Sequence, residues 1–164
     1  MSIEKLIQKF QLTKHPEGGF FKELYRSEGV IPGSVLGKEF SGDRNFATSI
    51  YFLLTSENFS AFHRIRQDEI WNFYSGSNIF IHSIDPIGNY QKIELGMKGD
   101  AVPQYVIPRG CWFASSVKEL NSYGFAGCTV APGFDFKDFE LANRNELCAE
   151  FPQHRDIISR LTRS

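Results

Sequence analysis

Two residues in the stretch HRIRQDEIWNFYSG, His63 to Gly76, are of types that do chemistry at neutral pH: His63 and Glu69. An imidazole titrates near neutrality, and a carboxylate can orient and charge it, so the pair suits general acid–base work with His63 as base and Glu69 orienting it. The pair could also give two ligands to a metal. Catalytic zinc and non-haem iron sites take three protein ligands, however. Glu17, Glu23 or His82 could supply a third, and nothing in the spacing requires it. A structural reading stays open beside these: a hydrogen-bonded His–Glu pair in a polar patch of the interior.

Alternation along extended chain decides what surrounds the pair. If His63 points inward, so does Ile65, while Arg64 and Arg66 point out. If Glu69 points inward, so do Trp71 and Phe73. Trp71, Phe73, Tyr51 and, with less support, Trp112 and Phe113 are then candidate pocket walls, although each aromatic alone would serve equally well as core. In FFKELYRS (20–27), Glu23 and Tyr25 share one face and Arg26 takes the other. Were that face inward, Tyr25 would be a proton donor opposite His63. HPEGG (15–19) reads as a structural corner in which Pro fixes a turn and the glycines allow tight backbone, rather than as a means of bringing His15 or Glu17 to the pocket. His82, in IFIHSID, reads as a structurally satisfied histidine, and FDFKDFEL (134–141) as tail packing over the barrel.

Short strands must position these residues. Apolar runs at 46–54, 60–65, 69–75, 78–84, 90–96, 103–107, 111–115 and 122–131 are separated by turn signals such as YSGS, DPIGN, MKGD and PRG. That spacing predicts an all-β sandwich or barrel, and no long helical period interrupts it to suggest βαβ units. Residues 28–45 read as a long loop, either a lid or an interface arm. Helices are expected at 2–11, with Ser2 as N-cap, and at 144–151 and 153–163, with Pro152 near the start of the last.

The chain has 164 residues, consistent with a single domain over 1–164. A net charge of -1 offers no basic field for phosphate backbones, so nucleic acid is not an expected partner. Three widely spaced cysteines without a CxxC suggest free thiols in a reducing compartment. MSIEKLIQKF mixes charge with apolar residues, unlike a signal peptide, and the apolar run IYFLL is too short for a membrane span. The expectation is a cytoplasmic protein without membrane contact. Its 16 phenylalanines exceed what is usual and leave some for a pocket.

Five blocks in order, HPEGGFFKELYRS, TSIYFLL, FHRIRQDEIWNFYSG, VIPRGCWFAS and VAPGFDFKDFEL, resemble the subgroup of the cupin superfamily called domain of unknown function 985. His63, Glu69 and Gly76 fit the first cupin motif, and Pro108, Arg109 and Gly110 fit the turn of the second. The motif's second and third histidines fall on Ile65 and Phe113. The resemblance implies a double-stranded β-helix, or jelly-roll barrel, paired as a homodimer. It implies no settled reaction. The expected function is a metal-independent cupin, needing no cofactor, that binds a small polar ligand and acts as an isomerase or epimerase on a sugar or nucleotide-sugar-like metabolite. The alternatives are a non-catalytic binding module and a metal-dependent cupin with non-standard ligands.

Overall fold

The computed structural model describes residues 2–163. Helix α1 (Ile3–Phe10) opens the chain, capped by the Ser2 hydroxyl, which accepts from the Lys5 N–H. Strands β1 (Thr13–Lys14) and β2 (Phe20–Arg26) follow. The 28–45 segment is not featureless: β3 (Val30–Ile31) and β4 (Arg44–Asn45) pair within it as a small ribbon. Then come β5 (Thr48–Thr55), β6 (Phe59–Arg64), β7 (Asp68–Gly76), β8 (Ile79–Ile84), β9 (Tyr90–Leu95), β10 (Gln104–Ile107), β11 (Trp112–Val117) and β12 (Tyr123–Ala131). A 3-10 turn (136–138) leads into β13 (Glu140–Leu141). Helices α2 (Arg144–Glu150) and α3 (Arg155–Arg160) end the fold. The last helix is shorter than its apolar period suggested, because Pro152 opens a separate 3-10 turn before it.

Two antiparallel sheets face each other in jelly-roll fashion. One has the order β1-β2-β5-β12-β7-β10 and the other β13-β6-β11-β8-β9. The central strands alternate between two apolar environments. Phe52 and Leu54 of β5 point between the sheets with Trp71, Ile79, Ile81 and Phe113, while Leu53 and Tyr51 point out beneath α1. On the second sheet, Phe62, Ile84 and Trp112 point out beneath α2 and α3. Terminal helices therefore cover part of each outer face, which explains why the central strand β5 is apolar on both sides. Burying one such Leu or Ile contributes roughly 1.5–3 kcal/mol. No helix among the described residues is long and apolar enough to cross a membrane.

Candidate functional site

The space between the sheets is not filled throughout. At one end it holds a cavity of about 290 Å³, walled by the inward residues of five strands and roofed by Phe134, Phe136 and Phe139. His63, Ile65, Glu69 and Trp71 all line it, as alternation predicted. The roof is fastened by a buried ion pair. Arg44 donates to both Asp138 carboxylate oxygens, at 2.7 and 2.6 Å, and Gln67 Nε2 donates to the same carboxylate at 2.7 Å. The 28–45 segment thus reaches the cavity through Arg44, holding its roof from behind.

The partner of His63 is Glu17, not Glu69. Glu17 Oε2 lies 3.0 Å from His63 Nε2, and its Oε1 accepts from the Ser60 hydroxyl at 2.8 Å. The HPEGG corner therefore does more than turn the chain. Gly18 and Gly19 sit at φ +113° and +78°, and a Cβ on either would strike the backbone carbonyl of Phe59 or Leu53. Only glycine lets the corner press so closely onto β5 and β6. The Ala61 N–H donates to the Glu17 carbonyl at 2.8 Å, which drives the Glu17 side chain inward. A carboxyl held between proline and two glycines was the signal available in the sequence.

The proton on this pair can be placed. His63 Nδ1 is 2.7 Å from the Ala61 carbonyl oxygen, which only accepts, so Nδ1 carries a hydrogen. Burial holds the imidazole neutral, pulling its pKa down to about 3. Burial also raises Glu17 well above the ordinary carboxyl range, and the nearby Glu69 adds to this. Both groups therefore favour their neutral forms, with Glu17 Oε2 in contact with the unprotonated His63 Nε2. His15 stands on the other side, its Nδ1 at 3.4 Å from Glu17 Oε2 and accepting the Glu17 backbone N–H at 3.3 Å. Its pKa is lowered to about 4 by burial.

Glu69 differs. It is 8% exposed, and no Lys, Arg or His among the described residues forms an ion pair with it. Burial raises it to about 7, with the Cys128 thiol and the Trp71 indole flanking it and pulling modestly the other way. The Trp71 Nε1–H contact is too long or too bent to make a full hydrogen bond. Near neutral pH the cavity therefore contains one carboxyl held as an acid and one poised to ionise.

Several expected site residues lie elsewhere. A bulge in β2 shifts the register between Glu23 and Tyr25, since Glu23 pairs with Ile50 and Tyr25 with Ser49. The extra residue reverses the alternation. Arg26, not Tyr25, joins Glu23 at the cavity, and Tyr25 is 54% exposed. Tyr25 is therefore no proton donor to this site. Tyr51 points out beneath α1, against Phe10 and Phe125. Trp112 lies in the core under α2 and α3, with the Arg64 guanidinium over its ring. Phe73 points inward but packs in the filled part of the barrel. Phe113 backs His63, ring centroids 4.1 Å apart, without lining the cavity. His82 is structural as read, its Nδ1 2.7 Å from the Tyr90 hydroxyl.

The family described as cupin superfamily, DUF985, matches residues 4–142. The chain belongs to this family. It is 32% identical over 158 residues to the uncharacterized protein YML079W of Saccharomyces cerevisiae, covering 89% of this chain and 78% of the yeast protein. Protein SO0799 of Shewanella oneidensis superposes with a TM-score of 0.89 at 36% identity, covering 99% of this chain and 98% of that one. A hypothetical protein from Leishmania major gives 0.91 at 31% identity, with both chains covered fully, 100% and 100%. Oxalate decarboxylase from Bacillus subtilis shares the fold alone, at 13% identity and a TM-score of 0.54, over 90% of this chain and 36% of that one.

The metal frame of the cupin fold does not fit the residues of this member. Ile65 lines the cavity where a second histidine would stand, and Phe113 packs against the His63 ring. His15, Glu17 and His63 do converge. The lone pair of His15 Nδ1, however, is taken by a backbone N–H, and no group of three or more His, Cys, Asp or Glu among the described residues is arranged to hold an ion.

Proposed function

We propose that this cupin binds a small polar metabolite in the aromatic cavity and shifts a proton on it, as an isomerase or epimerase does. The observation that carries this is the placement of two unlike carboxyls on one cavity: Glu17, against the neutral His63, and Glu69, without an ion-pair partner among the described residues. One takes a proton from the ligand and the other returns one. The two then re-equilibrate with each other, so the enzyme ends as it began. His63 is the partner that holds the Glu17 proton rather than a base oriented by Glu69. A volume of about 290 Å³ lies at the low edge for small-molecule sites, which favours a single ring over a nucleotide-sugar.

The test is hydrogen exchange in deuterated water, followed by NMR over a panel of single-ring metabolites. Exchange that disappears in both Glu17→Gln and Glu69→Gln but persists in Tyr25→Phe supports the reading. Binding without exchange instead supports a non-catalytic module. That second reading draws on the Glu17 contacts with Ser60 and His63, which are also what a purely structural carboxyl would make. We extend the proposal to a homodimer, supported by the exposed apolar side chains Leu24, Tyr25 and Phe46 and tested by light scattering.

A further inference from the structure

The ionisable side chains around the cavity are mostly acids. Two carboxyls, Glu17 and Glu69, are buried in it, and Glu23 and Asp135 stand among the lining residues. Arg26 is the only Lys or Arg lining it among the described residues. Its guanidinium is fully used. Nε and Nη2 donate to the two Glu23 oxygens at 3.0 and 2.8 Å, Nη1 donates to Asn45 Oδ1 at 2.9 Å, and Nη1 and Nη2 each donate to the Phe134 carbonyl at 3.1 Å. All five N–H groups are thereby committed, and none is left for an incoming anion.

The walls complement that imbalance. Phe52, Trp71, Phe134 and Phe136 present aromatic surface to the cavity, and the negative faces of such rings attract cations. Glu69, nine-tenths buried and without a cationic partner among the described residues, faces the same space. A buried carboxyl in that position lacks a counter-ion that the protein does not supply.

We infer that the ligand is a small organic cation bearing N–H groups, an ammonium or amidinium on a compact ring, which donates to Glu69 while the aromatic walls cover its charge. This rests on the reading of the cavity as a ligand site and narrows its substrate class. Phosphorylated and carboxylated metabolites are disfavoured, because they would meet Glu69 and no free Lys or Arg among the lining residues. Glu69 does not compete with the proposed proton shift: bound to such a ligand it is ionised, which is the form that accepts a proton.

Matched probes on one frame test this. Benzamidine, benzyl alcohol and benzoate share a phenyl ring and differ in charge. They would be titrated into 15N-labelled protein at millimolar concentration while the indole N–H resonances are followed. The chain has two tryptophans. Trp71 lines the cavity and Trp112 lies in the core under α2 and α3, so Trp112 is an internal control. Benzamidine is expected to move the Trp71 resonance and leave Trp112 in place, with benzoate at least roughly tenfold weaker. In Glu69→Gln, benzamidine is expected to weaken by roughly tenfold and benzyl alcohol by less than about twofold. Benzoate binding as tightly as benzamidine, or benzamidine unaffected by Glu69→Gln, overturns the inference. If only the neutral probe moves Trp71, the inference fails and the ligand site stands. If no probe of any charge moves it, the ligand-site reading fails as well.

Discussion

The same strands build both ends of the barrel, and the two ends have opposite characters. Along β5 the inward residues run Thr48, Ile50, Phe52, Leu54. The first three line the cavity, while Leu54 is fully buried among Ile79, Ile81 and Leu95. Along β7 they run Glu69, Trp71, Phe73, from carboxyl to aromatic core. Phe52 and Trp71 form the boundary, their ring centroids 5.4 Å apart. One end is close-packed and contributes stability through buried area. The other leaves a hollow with titratable groups that cost stability, a combination expected where structure is kept for binding or chemistry rather than for folding.

The largest effects should separate the ends by packing. Leu54→Ala at the filled end should cost about 2–5 kcal/mol in urea unfolding, since its neighbours cannot collapse into the space. Ile50→Ala, on the cavity wall and half-buried, should cost less than about 1.5 kcal/mol. Equal costs would mean that the hollow does not exist in solution.

Next is a pH effect confined to the hollow end. Glu69 is raised from 4.5 to about 7, so the folded state binds a proton that the unfolded chain has released. Its contribution to stability is fully present below pH 4.5 and lost as pH rises through about 7. Glu69→Gln should therefore gain on the parent protein as pH rises, by up to about 3 kcal/mol at slightly alkaline pH. His63 runs the other way. Lowered from 6.5 to about 3, it contributes stability above 6.5 that is lost as pH falls toward 3. Unfolding curves of the two proteins across this range check the sign, and a constant offset would show that Glu69 does not titrate there.

Smaller effects sharpen the roles of the two carboxyls. Glu17→Gln keeps an acceptor for Ser60 and a donor for His63, so stability should change by less than about 1 kcal/mol. Glu17→Ala leaves both groups unpaired and should cost about 2–3 kcal/mol. Thermal denaturation of the two variants separates a lost hydrogen bond from a lost proton. Smallest of all, Tyr25→Phe and Tyr51→Phe should leave ligand affinity within about twofold, because neither side chain lines the hollow.

Much of this fold was legible from alternation and turn chemistry. Strict period-2 patterning placed His63, Ile65, Glu69 and Trp71 on one wall, and turn residues set the strand spacing. Legibility failed where alternation was locally broken. The β2 bulge exchanged Tyr25 for Arg26, and no residue in KELYR announces it. It also failed where both faces of a strand are buried. Tyr51 and Phe52 are both aromatic, and only the docking of α1 on one side determines which faces the cavity. Phe134, Phe136 and Phe139 do pack over the barrel as read, and in doing so form the cavity roof.

The sequence by itself determined the all-β barrel, its helical ends and the presence of a histidine and a carboxyl on one inner wall, because strand periodicity and turn preferences act over a few residues. Tertiary structure alone decided which carboxyl meets the histidine. Glu17 is 46 positions from His63 in the chain and reaches it only because a two-glycine corner presses against β6, whereas Glu69, six positions away, does not pair with it. Nearness along the chain does not set contact across a barrel; the closing of strands does.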